Sequence, residues 1–213
     1  MIKCPNCGER TKEEISIYND DLRRQSFSFT PILPTCKKCG AEVDITHRCK
    51  GGKIIIITGT CGSGKSTVAE LIANTGFLAI DGDCVIQVVK HKKNTKQVNF
   101  EEMLEEIACE IDILSLFGSN IVLAHVVTPE LLDGYIKMLQ ERNMNYSFFL
   151  LKPDCQTAVE RCQTRTCHTS ITPEYWIKHF FDTLVFDDRV DAIDNTYLSA
   201  EETATCIMGR CRP

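Results

Sequence analysis

The sequence predicts an α/β domain built as a three-layer sandwich on a five-stranded parallel sheet, preceded by a small cysteine-bound module. Three observations predict it. From residue 53 onward, short apolar runs alternate with helix-like patterns, the order expected of a sheet with crossover helices. A glycine-rich turn separates the first apolar run from the first helix pattern. Residues 1–50 differ in kind, with two Cys-x-x-Cys pairs, few long apolar runs and a net charge of +2, against −7 for the remainder. The Gly51-Gly52 pair reads as a hinge, which divides the chain into a module at 1–50 and a domain at 53–213.

Strands are expected at 53–58, 77–81, 120–127, 145–151 and 189–194. Each is a short apolar run, the signature of strands buried on both faces. Helices are expected at 65–74, 100–117, 129–142, 155–165, 173–186 and 200–208. Pro129 and Pro173 each follow a threonine, the cap-then-proline pattern that starts helices. Ser199-Ala200-Glu201-Glu202 has the acidic first turn of a helix N-terminus. Periodicity is weak around 84–89, and 90–98 is polar and basic and reads as a loop.

Composition excludes several classes. Hydrophobic residues at 43% and charged residues at 25% rule out wholesale disorder. A net charge of −5 argues against a chain-wide basic surface for nucleic acid. The longest purely aliphatic run, 54–57, is far short of the roughly 20 residues of a membrane span, so no membrane partner is expected. Thirteen cysteines are the outlier. The chain opens Met-Ile-Lys-Cys-Pro-Asn-Cys without a secretory apolar region, so it reads as cytoplasmic, where thiols stay reduced. The cysteines are then metal ligands or buried thiols, not a disulfide framework.

The strongest signal is Gly59-Thr60-Cys61-Gly62-Ser63-Gly64-Lys65-Ser66, followed by Thr67. It fits G-x-x-x-x-G-K-[ST], with a buried strand before it and a helix after it. The glycines let backbone N–H groups converge on phosphate oxygens, and the helix adds its positive end. Lys65 would reach the β- and γ-phosphates of ATP, and the Ser66 hydroxyl would take a place on Mg²⁺. The fold class is thereby a P-loop NTPase sandwich. Cys61 reads as a small residue within the loop. Motor ATPases carry a four-residue apolar strand ending in Asp-Glu, whereas Ile121-Val122-Leu123-Ala124 ends in His125. No Asn-Lys-x-Asp motif for guanine is present.

Asp81-Gly82-Asp83 ends the second predicted strand and places two carboxylates at the sheet edge where ligands bind. One can serve Mg²⁺ through water, and the other can orient or deprotonate an acceptor hydroxyl. His125 ends the third strand and faces the same region as a candidate substrate residue.

Strand, P-loop, helix and then Asp-x-Asp on the second strand resemble the small P-loop kinases: shikimate, gluconate and adenylylsulfate kinases and antibiotic-modifying phosphotransferases. The resemblance covers 53–208. Glu160-Arg161-x-x-x-Arg165 lies where those kinases carry an arginine-bearing lid. Residues 193–199 resemble the strand and loop that border the adenine, which implies Asp194 and Asn195. The stretch 121–151 looks most like tunicamycin-resistance-type ATP-binding proteins. The resemblance implies Asp81 for Mg²⁺, Asp83 for the acceptor, and Arg161 and Arg165 on the transferring phosphate. Shikimate kinases have a Gly-Gly-Gly segment near the third strand, where this chain has Ala124-His125-Val126-Val127. Adenylylsulfate kinases follow Asp-Gly-Asp with Asn and Arg, where this chain has Cys84-Val85-Ile86. Neither substrate carries over. The lid is thin in arginine, and Lys152 or His168 could substitute.

Cys4-Pro5-Asn6-Cys7-Gly8 and Cys36-Lys37-Lys38-Cys39-Gly40 each present two thiolates from one tight turn. Cys4, Cys7, Cys36 and Cys39 together suit tetrahedral Zn²⁺ in a closed, structural site. The arrangement resembles a zinc ribbon. His47 and Cys49, just downstream, could bind a second metal, or Cys49 could replace one of the four ligands. The ribbon either binds nucleic acid through Arg23, Arg24, Lys37, Lys38 and Arg48, packs on the other domain, covers its substrate site, or mediates a dimer; the sequence leaves the oligomeric state open. Three functions are compatible with these features. The first is an ATP-dependent kinase of a small-molecule hydroxyl. The second is a polynucleotide 5′-hydroxyl kinase, which the acidic domain disfavours. The third is an ATP-dependent binding or regulatory protein, which the complete Asp-x-Asp disfavours.

Overall fold

A computed structural model describes residues 52–115, 120–164 and 172–211. The zinc-ribbon residues Cys4, Cys7, Cys36 and Cys39, together with His47, Cys49, Arg165 and His168, lie outside the described residues.

Five parallel strands form one sheet: β1 (Lys53–Thr58), β2 (Leu78–Asp81), β3 (Asn120–Ala124), β4 (Asn145–Leu151) and β5 (Val190–Ile193). Their spatial order is β2-β3-β1-β4-β5. The central strand β1 pairs Ile54 with Ile121 of β3 and with Tyr146 of β4. Ile54, Ile55, Ile56 and Ile57 are all fully buried, as a β-branched run in the middle of a doubly covered sheet must be.

Alternation along β1 divides the core in two. Ile54 and Ile56 face one hydrophobic layer, and Ile55 and Ile57 face the other. The first layer is closed by α3 (Phe100–Leu114) and α4 (Pro129–Glu141), through Ile107, Ile111, Leu132 and Leu139. The second is closed by α1 (Lys65–Ala73) and α7 (Ala200–Arg210), through Val68, Ile72, Ala204 and Ile207. The expected three layers result. Three further helices are α2 (Gly82–Lys93), α5 (Cys155–Thr164) and α6 (Glu174–Thr183).

Local signals explain several boundaries. Helix α4 begins at Pro129 behind Thr128, as the cap-then-proline pattern predicts. Helix α7 has a full capping box: Glu202 N–H donates to Ser199 Oγ at 3.1 Å, and Ser199 N–H donates to Glu202 Oε2 at 2.8 Å. At α6 the helix starts one residue after Pro173, which is the cap itself.

One expectation is overturned. The basic segment 90–98 is not a loop throughout, because α2 continues to Lys93. Two long-range ion pairs explain it. Lys92 Nζ meets Glu106 Oε1 at 2.6 Å, and Lys93 Nζ meets Glu102 Oε1 at 2.7 Å, both across to α3. The basic last turn also suits the negative end of the helix. Neither partner is visible within the segment itself.

Glu110 on α3 gives a pH test of this packing. Burial, with the nearby Glu106 adding to it and Lys92 opposing it, pushes the Glu110 carboxyl up to about 7 from its ordinary 4.5. A raised carboxyl holds its proton more tightly folded than unfolded. The contribution of Glu110 to stability is therefore fully present below pH 4.5 and is lost as pH rises through 7, a change on the order of 3 kcal/mol. Glu110→Gln removes the titration. The stability difference between variant and parent, read from urea unfolding, should grow between pH 5 and 8 in the variant's favour. A difference independent of pH would place Glu110 in an ordinary solvated setting.

Candidate functional site

The site gathers at the carboxyl ends of β1, β2 and β3, where parallel α/β sheets bind ligands. The turn leaving β1 is the P-loop. Ser63 N–H donates to Thr60 O at 3.2 Å, closing it, and Gly64 in the left-handed region (φ +96°) leads into α1. Thr60 and Ser63 are buried, while Ser66 and Thr67 are exposed on the first turn of α1. Lys65 Nζ donates to Thr60 O at 2.8 Å, lying back over its own loop.

Gly62 carries the tightest steric demand in the loop. Its φ is +80°, and a Cβ there would lie 2.0 Å from Ala158 O of α5. Backbone meets backbone at this point, so only glycine fits. Cys61 packs beside the small cluster of Ala158, Val159, Cys162 and Ile177, as a small space-filling residue would. Thr60 Oγ1 donates to Ile177 O of α6 at 3.0 Å, a buried tie that sequence reasoning missed.

Of the two carboxylates, Asp81 lies at the strand end and Asp83 in the helix that follows it. Asp81 ends β2 and caps α2: its Oδ1 accepts from Asp83 N–H at 2.9 Å and from Cys84 N–H at 3.4 Å. Its Oδ2 accepts from the Ser66 hydroxyl at 3.2 Å. The structure thus joins a residue of the P-loop helix to one fifteen positions later on a different strand. Asp83 is exposed in the first turn of α2.

His125 follows β3 and is only 5% exposed. Its N–H donates to Ile57 O at 3.1 Å, which seats it against the end of β1. Burial pushes its imidazole down to about 4; Lys65 adds to this, and the charges of Asp83 and Asp81 oppose it. It is therefore neutral near pH 7. Its ring stacks over Gly82: a Cβ on that residue would lie 2.1 Å from His125 Nδ1. Tyr135 of α4 stands behind, with ring centroids 6.4 Å apart. His125 Nδ1 and the Tyr135 hydroxyl are both buried without a hydrogen-bond partner. The central glycine of Asp-Gly-Asp was the one sequence signal for this close approach. Tyr135 gave none.

Thr58, another residue the sequence did not mark, bonds twice to Val127. Its Oγ1 donates to Val127 O at 3.0 Å and accepts Val127 N–H at 2.9 Å, fixing the segment that carries His125.

On the far side of the P-loop, Asp194 and Asn195 leave β5. Asp194 is exposed, and Thr196 donates to its carboxylate through N–H at 2.9 Å and Oγ1 at 2.6 Å, which holds it below the usual carboxylate range. Asn195 is buried, and its Nδ2 donates to Ser63 O at 3.0 Å. Arg161 of α5 directs its guanidinium to main-chain carbonyls of this loop. Lys152 Nζ, at the end of β4, lies 5.3 Å from the centre of the Phe181 ring. Among the described residues, no group of three or more His, Cys, Asp or Glu side chains forms a metal cage. Ser66 and Asp81 offer two hard oxygens, the donor type that Mg²⁺ takes alongside water and phosphate. No helix among the described residues is long and apolar enough to cross a membrane.

Known proteins share this architecture. A gluconokinase of Sinorhizobium meliloti 1021 superposes with a TM-score of 0.55 at 20% identity, over 76% of this chain and 94% of its own. A Deinococcus radiodurans tunicamycin resistance protein superposes at 0.57 and 16% identity, over 75% and 95%. A nucleotide-binding protein of Ectopseudomonas mendocina (strain ymp) is 29% identical over 118 residues, 54% of this chain; the match spans only 38% of that relative's length. Residues 55–176 match the family model described as AAA domain. That stretch holds the P-loop, both carboxylates and His125, and it exceeds half of the sequence, so the chain belongs to the AAA domain family.

Proposed function

We propose that the chain is an ATP-dependent phosphotransferase that moves the γ-phosphate of ATP to a hydroxyl of a small molecule. The observation that carries the reading is the 3.2 Å contact between the Ser66 hydroxyl and Asp81 Oδ2. It brings the last residue of the phosphate-binding motif onto the first carboxylate of Asp-x-Asp, the pairing a metal–nucleotide site needs. The gluconokinase and tunicamycin-resistance folds support the same reading. His125 supports it as well, since it stands after β3 where a motor ATPase would carry Asp-Glu.

The residues divide the work. The loop 59–64 and the start of α1 bind the phosphates with backbone N–H groups, and Thr67 lies on the same turn. Lys65 leaves Thr60 O to neutralise charge on the transferring phosphoryl. Ser66 and Asp81 would hold Mg²⁺, which supplies charge neutralisation on the β- and γ-phosphates when bound. Asp83 accepts the hydrogen bond of the acceptor hydroxyl and aligns its oxygen with the γ-phosphorus. His125, neutral and buried beside Asp83, offers the acceptor an uncharged hydrogen-bonding wall. Asp194, exposed on the loop that Asn195 ties to the P-loop, borders the nucleotide from the opposite side.

The test is transfer of label from γ-labelled ATP into a metabolite extract and, in parallel, into a 5′-hydroxyl oligonucleotide. Label is expected in a small molecule, falling roughly 10²-fold or more in Asp83→Asn. Label in the oligonucleotide alone would redirect the reading to a polynucleotide kinase. ATP binding with no acceptor labelled would leave a nucleotide-dependent regulatory protein.

A further inference from the structure

Arg161 sits in the last turn of α5, where a lid arginine would be expected to touch the transferring phosphate. Its guanidinium points elsewhere. Nη2 donates to Asn195 O at 3.0 Å and to Thr196 O at 3.1 Å, two successive carbonyls of the loop after β5. The same loop reaches on to the P-loop. Asn195, 3% exposed, donates from Nδ2 to Ser63 O at 3.0 Å. A carbonyl can only accept, so this bond fixes which way the amide faces and leaves Asn195 Oδ1 buried without a partner. A third tie anchors the loop at the start of α5, where Asp154 N–H donates to Thr196 Oγ1 at 2.8 Å.

The circuit closes on its other side through packing. A Cβ on Gly62 would lie 2.0 Å from Ala158 O and 3.2 Å from Cys162 N, so the P-loop backbone rests directly on α5. P-loop, α5 and the loop after β5 therefore form a ring of contacts, and Arg161 and Asn195 are its polar links. Of these carbonyls, that of Ser63 shares its peptide unit with a P-loop N–H. Moving Ser63 O turns the N–H of Gly64, its partner in that peptide plane.

We propose that Arg161 and Asn195 are positioning residues that set the P-loop for nucleotide phosphates, with Arg161 acting through the main chain of Asn195 and not on the transferring phosphate. The proposal rests on the nucleotide-binding reading above. It predicts that both side chains contribute to binding the part common to ATP and ADP. A residue touching the γ-phosphate would discriminate between them.

The experiment is equilibrium binding of Mg-ATP and Mg-ADP to the full chain at a temperature well below unfolding. The variants are Arg161→Ala, Arg161→Lys, Asn195→Ala and the double Arg161→Ala/Asn195→Ala. Each single alanine variant should weaken ATP and ADP by the same factor, about tenfold for loss of a charge-assisted or buried bond. Arg161→Lys should recover part of the loss, since an ammonium can still reach one carbonyl. The double variant should be little worse than the worse single, because both act in one chain of contacts. A loss confined to ATP would overturn the proposal in favour of direct γ-phosphate contact. Lower melting temperatures with unchanged affinities would overturn it in favour of a purely structural role, and additive losses would overturn it by showing that the two residues act independently. If the parent chain bound neither nucleotide, the nucleotide reading itself would fall, and this inference with it.

Discussion

Lys65→Ala is expected to lower phosphoryl transfer from ATP by roughly 10²–10³-fold, the range for removing one preorganised charge donor from a developing anion. The reason lies in where the ammonium is held. It lies 2.8 Å from Thr60 O, inside the glycine-rich loop, so under the proposed function it would reach nucleotide phosphates without crossing the site. The fold should survive, because the part-buried bond from Lys65 to the Thr60 carbonyl is worth only on the order of 1 kcal/mol. A second readout comes from His125. The Lys65 charge is one of the causes holding that imidazole low, so its titration should move upward from about 4 in the variant. Rapid-quench transfer from labelled ATP and histidine NMR check the two effects separately. Transfer at the parent rate would remove the P-loop from the mechanism.

Gly82→Ala is the second large effect, and it acts through geometry alone. Gly82 is buried between the two carboxylates, and the new methyl would lie 2.1 Å from His125 Nδ1, 2.4 Å from its Cγ and 2.7 Å from its Cβ. The ring cannot swing clear, being 5% exposed and seated against Ile57 through its own backbone bond. Overpacking of this kind costs about 1–3 kcal/mol. Relief by shifting α2 would displace Asp81 from Ser66, so transfer should fall with stability. The cycle with His125→Ala isolates the cause. Removing the ring makes room for the methyl, and the double variant should regain most of the stability lost by Gly82→Ala. Denaturant midpoints of the four proteins measure this. Costs that simply add would show that ring and glycine are independent.

What the sequence makes legible is local. The P-loop occupies eight consecutive residues, and its chemistry needs glycine, lysine and serine at fixed offsets, so the motif was visible in one window. The apolar run of β1 and the caps at Thr128-Pro129 and Ser199 to Glu202 were legible for the same reason. The Asp-Gly-Asp carboxylates were found because a strand end is marked by where its apolar run stops. The basic stretch through Lys93 reads as a loop because its helix depends on Glu102 and Glu106, which lie beyond any local window. Arg161 was located as a candidate, yet its direction could not be read, because its acceptors are carbonyls more than thirty residues away.

Order along the chain, through short apolar runs, caps and the glycine-rich loop, determined the α/β class and the nucleotide-type motif. Tertiary structure alone decided which groups share the site. Parallel pairing in the order β2-β3-β1-β4-β5 carries Asp81, His125 and Lys65 to the same sheet edge. Packing then determined what each could do there. Burial makes His125 neutral, contact with α5 reserves Gly62, and two carbonyls claim Arg161. These are properties of distance and desolvation, which a sequence window does not contain.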